Sequence, residues 1–141
     1  MKNSLFALFA LVALLASLGC PPPKHCDVNF GLNESFTLDQ AASACLKDGD
    51  LSIRFDSVPS DSRCPVGVQC IWAGRADVAL TLSQGAATEQ VVLASGDMSQ
   101  GGAGEAAFNG YTVKLQEVAP PKTEGKPIEQ KDYKVKLVVS R

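Results

Sequence analysis

The residues of this 141-residue chain that could do chemistry are five cysteines, one histidine and a scatter of acids. Cys26, Cys45, Cys64 and Cys70 are separated by eighteen, eighteen and five residues, and His25 directly precedes the first of them. A structural zinc site uses short paired spacings such as C-x2-C, which this pattern does not follow. A nucleophilic cysteine or serine needs a base held beside it. His25 is the only imidazole on offer to Ser52, Ser57, Ser62 or the thiols, and it lies in the approach to the domain. Asp48, Asp50, Asp56 and Asp61 surround one apolar segment, but without the D-x-[DN]-x-[DN]-G spacing of a calcium loop. His25-Cys26 is too small a donor set for copper. The expectation is therefore no catalytic residue, no metal and no cofactor, with the thiols bridging one another.

The start of the chain sets their redox state. Met1-Lys2-Asn3 is followed by an apolar run from Leu5 to Leu18, ending at Gly19-Cys20 and Pro21-Pro22-Pro23. A basic start, a short apolar core and a small residue before the cut read as a secretory signal. The run falls short of the roughly 20 residues that span a bilayer. With cysteine after the small residue, the segment resembles a bacterial lipoprotein signal, although Ser17 and Leu18 stand where that family prefers leucine and a small residue. The resemblance implies loss of residues 1–19 and a lipid on Cys20. The chain would then be anchored in a membrane of the cell envelope, the outer one in preference to the inner; plain secretion is the alternative. Cleavage would leave 141 − 19 = 122 residues, enough for one domain. Losing Lys2 takes the formal net charge from −2 to −3, and nothing forms a basic stripe, so nucleic acid is not an expected partner.

In an exported chain an even number of remaining cysteines implies two disulfides, with three possible pairings. Proximity pairs Cys64 with Cys70, which leaves Cys26 for Cys45. Loop entropy assigns about 2 kcal/mol to the short bridge and about 3 kcal/mol to the long one.

The elements that position these residues read as strands. Residues 20–33 look like a proline-rich tether, and 34–141 like a single β domain. Apolar residues alternate with polar ones at Leu51/Ile53/Phe55, Val78/Leu80/Leu82, Tyr111/Val113/Leu115 and Tyr133/Val135/Leu137/Val139. Such one-faced alternation suits antiparallel sheets. Phe36-Thr37-Leu38 and Glu89–Leu93 add shorter strands, and Asn109-Gly110 predicts a tight hairpin between 105–108 and the strand from Tyr111. Residues 39–46 are rich enough in alanine to make two helical turns. About seven or eight short strands predict an all-β fold, either an immunoglobulin-like antiparallel sandwich or a partly open barrel, stabilised by disulfides.

One stretch carries the chain's individuality: Asp61-Ser62-Arg63-Cys64-Pro65, then Cys70-Ile71-Trp72-Ala73-Gly74. It resembles a D-S-R-C-P-x4-C-x-W-x-G motif of small bacterial secreted proteins and lipoproteins. The resemblance covers residues 34 to the end and implies an all-β domain, without an activity. Counting back by twos from Val78 puts Trp72 on the inward face, as core, unless Gly74 breaks the strand. Arg63, Val66 and Val68 are then the candidates for a binding loop, with Val66 and Val68 its only exposed apolar tip. The expected function is a non-catalytic envelope lipoprotein, a binding or structural module for a protein or an envelope polymer. One alternative is an exported protease inhibitor presenting the 59–74 loop; another is a small metal-binding or enzymatic envelope protein.

Overall fold

Apolar residues at every second position can all be buried only if the chain is extended and one face is covered. The computed structural model, which describes residues 25–96 and 101–141, shows two sheets that cover each other in this way. The segment 1–19 expected to be a signal, Cys20 expected to carry the lipid, and Pro21–Pro23 lie outside the described residues. The strands are β1 (Val28–Phe30), β2 (Ser35–Asp39), β3 (Ser43–Leu46), β4 (Leu51–Asp61), β5 (Arg75–Gln84), β6 (Ala87–Gly96), β7 (Glu105–Phe108), β8 (Tyr111–Ala119) and β9 (Lys134–Ser140). One sheet has the order β1-β3-β4-β5-β6 and the other β2-β9-β8-β7. Neither closes on itself, so the fold is an open sandwich rather than a barrel. Every pair is antiparallel except β1 with β3.

The core lies between the sheets. Leu51, Ile53, Phe55, Val78, Leu80, Leu82 and Leu93 from the first meet Leu38, Val113, Leu115, Val135, Leu137 and Val139 from the second. Their polar neighbours in sequence point outward. The Asn109-Gly110 hairpin forms as expected, with φ of 47° and 81° at its two central residues.

Two expectations change. Residues 39–46 are not helical: the chain turns at Gln40–Ala42, where Ala41 takes φ 65°, and continues as β3. The reason is topological. β2 belongs to one sheet and β3 to the other, so the chain must cross the end of the sandwich within a few residues. Ala41 N–H and Phe55 N–H then bond across the crossing to Phe55 O and Ala42 O. Once extended, β3 buries Ala44 and Leu46 and turns Ser43 and Cys45 outward. The second change is at the tether, whose last residues belong to the sheet. Val28–Phe30 form β1, and the Phe30 ring stacks on Phe36 at a centroid distance of 4.3 Å. The Cys26–Cys45 bridge pins the start of this strand beside β3.

Candidate functional site

The motif segment closes one end of the sandwich. β4 reaches it through two register shifts, between Phe55 and Ser57 and between Ser57 and Ser60. Bulges leave backbone groups unpaired. Here the Gln130 side chain satisfies them, accepting from Val58 N–H at 3.0 Å and donating to Val58 O at 2.8 Å. β4 thereby delivers Asp61 to the mouth of the sandwich, beside Tyr133.

Asp61, Arg63 and Tyr133 form the joint on which the loop rests. Asp61 Oδ1 accepts from Arg63 Nε at 2.9 Å and from Arg63 N–H at 3.1 Å. Its Oδ2 accepts from Arg63 Nη2 at 2.7 Å and from the Tyr133 hydroxyl at 3.0 Å. The guanidinium spends its other donors on Val118 O and, at 3.0 Å, on Pro120 O. Lys122 Nζ donates to Asp61 O. Both charged side chains are largely enclosed, 9% exposed for Asp61 and 16% for Arg63. Burial by itself would raise the Asp61 pKa, but the Arg63 and Tyr133 hydrogen bonds outweigh it and hold the carboxyl below its usual value. The bond to Asp61 raises the Arg63 pKa against an opposing effect of burial, while burial and the same carboxylate raise that of Tyr133. Arg63, a candidate contact residue by sequence, thus faces inward and fixes the loop's base.

Above that joint the loop is tied at several points. Cys64 is bridged to Cys70, their Cα atoms 6.0 Å apart. Cys64 N–H donates to Ala73 O, and Val66 N–H to Lys122 O, both at 2.9 Å. At the base, Ser62 N–H donates to Arg75 O at 2.8 Å. Gly74 makes this base possible. It has φ 67°, and a Cβ there would lie 1.9 Å from Ser62 O.

Gly74 also overturns the expectation for Trp72. The count by twos assumed a regular strand from Trp72 to Val78, but β5 begins only at Arg75. With φ positive at Gly74, the chain before it swings out of the sheet. Trp72 is 69% exposed and Ile71 92%, so neither is core. Val66 is exposed at 67%, in line with its place on the tip, whereas Val68 is half-buried. The exposed apolar group is therefore Val66, Ile71 and Trp72. Ile71 was not singled out from sequence, because its exposure follows from the positive φ at Gly74, three residues on, which residue types alone do not give. Next to the loop, Pro120, Pro121, Lys126, Pro127 and Ile128 line an open cleft of about 210 Å³.

No group of three or more His, Cys, Asp or Glu among the described residues could hold a metal ion. Among the same residues no helix is long and apolar enough to cross a membrane. The two disulfides mark a chain that matures in an oxidising, extracytoplasmic compartment. No protein-family model, curated protein or solved structure matches the chain.

Proposed function

We propose that this chain is a non-catalytic lipoprotein of the cell envelope, held to the membrane by a lipid on Cys20, that presents its 62–74 loop to a partner protein. One observation carries the reading: Ile71, Trp72 and Val66 are exposed on a loop that a disulfide and buried charge-assisted bonds hold in one shape. Exposed tryptophan is characteristic of interface anchors, and a preformed loop loses little entropy on binding. An envelope polymer would call for more polar groups than Gln69, the one polar side chain exposed between Cys64 and Trp72, supplies. The test compares the soluble domain with its Ile71→Ser/Trp72→Ala variant for capture of one defined partner from envelope extract. Loss of that partner in a variant of unchanged circular dichroism supports the reading. Equal capture by both proteins refutes it.

The loop's rigidity also favours a second, narrower reading as an exported protease inhibitor. A segment tied at Cys64–Cys70, at Cys64–Ala73 and at Val66–Lys122 would resist rearrangement in an active-site cleft. Titration against serine and cysteine endoproteases of each specificity class decides it. Stoichiometric inhibition that disappears on reducing the bridge is the expected result.

A further inference from the structure

Among the described residues, the longest strand with an unpartnered edge is β6. Its one strand partner among the described residues is β5, and its ten residues pair without a register shift, so the edge runs straight. Along a strand, alternate residues aim their N–H and C=O to the same side. Ala94 N–H points away from β5, donating to Ala103 O at 2.8 Å. In steps of two, Val92, Gln90 and Thr88 therefore offer their backbone groups to the same open side. Natural edges are usually guarded by proline, lysine, bulges or inward charges. β6 carries none of the first three and only Glu89 as a charge. Val92 on its outer face is 58% exposed.

We propose that this edge pairs with the same edge of a second copy of this chain. The two β6 strands would run antiparallel about a two-fold axis at Gln90 and join the two five-stranded sheets into one. The sequence suits that symmetry. Gln90 meets Gln90 of the second copy, amide against amide, while Thr88 and Val92 each meet the other residue across the axis. Each outward residue exchanges both backbone bonds with its opposite number, which satisfies every open group from Thr88 to Val92. Glu89 lies opposite Val91 rather than a second carboxylate, avoiding the direct like-charge pair that destabilises sheets. An axis at Val92 would bring in the Ala94 edge, which Ala103 already occupies. An axis at Thr88 would run into the β5–β6 turn at Gly85-Ala86. Only Gln90 uses all three residues.

The test uses the exported chain carrying Cys20→Ser, followed by sedimentation from dilute solution to the solubility limit. The expected result is a rise from monomer to twice the mass. Gln90→Pro should remain a monomer, because the lost N–H faces the open side and no β5 bond is removed. Val92→Lys, which leaves the backbone intact, should do the same and keeps the test sound if proline perturbs folding. Trp72→Ala should dimerise like the parent, which separates this surface from the loop. Gln90→Cys should give a covalent dimer on mild oxidation, because a hydrogen-bonded antiparallel pair sets its Cα atoms about 5.5 Å apart, within disulfide reach. Thr88→Cys alone should not. A parent that is monomeric at every concentration, as an edge reserved for a foreign strand would be, overturns the proposal. So does a dimer that survives both edge variants or is lost with Trp72→Ala.

Discussion

Trp72 and Asp61 show how differently two residues of one short motif can behave. Trp72 was expected to be core, with a loss of about 3–5 kcal/mol on truncation to alanine. At 69% exposure it has little to lose, and Trp72→Ala should change stability within the ±0.5 kcal/mol typical of surface sites. A red, readily quenched tryptophan emission from the folded domain should accompany that result. Asp61 behaves in the opposite way. It accepts four hydrogen bonds in a largely enclosed site, so Arg63→Ala strands a carboxylate and should destabilise by about 3 kcal/mol in denaturant melts. Its folded pKa lies below the unfolded value, so the folded state binds the proton less readily than the unfolded chain does. The stabilisation is thus full above the unfolded pKa and declines as pH falls through the folded one. Acid titration of stability should show this decline below about pH 4, and Asp61→Asn should remove it.

At the scale of elements, what the sequence made legible follows from how local the governing physics is. Alternation revealed β4, β5, β8 and β9, because burial on one face acts residue by residue. The Asn109-Gly110 turn was legible because positive φ restricts residue choice so strongly. β3 was hidden because Ala41, Ala42 and Ala44 favour a helix locally, and only the crossing between sheets extends the segment. β1 was hidden too: three residues hold it through a bridge and a ring stack, neither of which shows as periodicity. Of the site, the staple was legible from spacing and Val66 from its place in the bridged loop. The Ile71–Trp72 exposure turned on one dihedral at Gly74. That dihedral is testable. Gly74→Ala places a methyl against Ser62 O and adds left-handed strain of about 1–2 kcal/mol. The variant should lose more stability than the strain alone, and Ser62 and Arg75 amides should exchange faster with deuterium. Removing the staple with Cys64→Ser/Cys70→Ser should cost about 2 kcal/mol by loop entropy and leave the sandwich folded.

For the whole molecule, the question is how the proposed lipid would hold a small sandwich with an apolar tip at a membrane. The described domain begins beside β1, where the Cys26–Cys45 bridge fixes the chain to the outer face of its sheet. Only five residues separate Cys26 from Cys20, so a lipid on Cys20 would keep the domain within roughly 20 Å of the bilayer even with the linker fully extended. A single acyl chain holds a protein only marginally, and stable anchoring needs a second chain or a second signal. A multiply acylated Cys20 would meet that need without help from the rest of the surface, whose net charge is negative. Cys20→Ser should therefore move the protein completely from the membrane pellet to the soluble exported fraction, with the fold unchanged by circular dichroism. The wild-type mature terminus should carry acyl mass on Cys20. Identical fractionation of the two proteins, with an unmodified terminus, would show that the chain is secreted free, and that any partner of its tip would be met by diffusion.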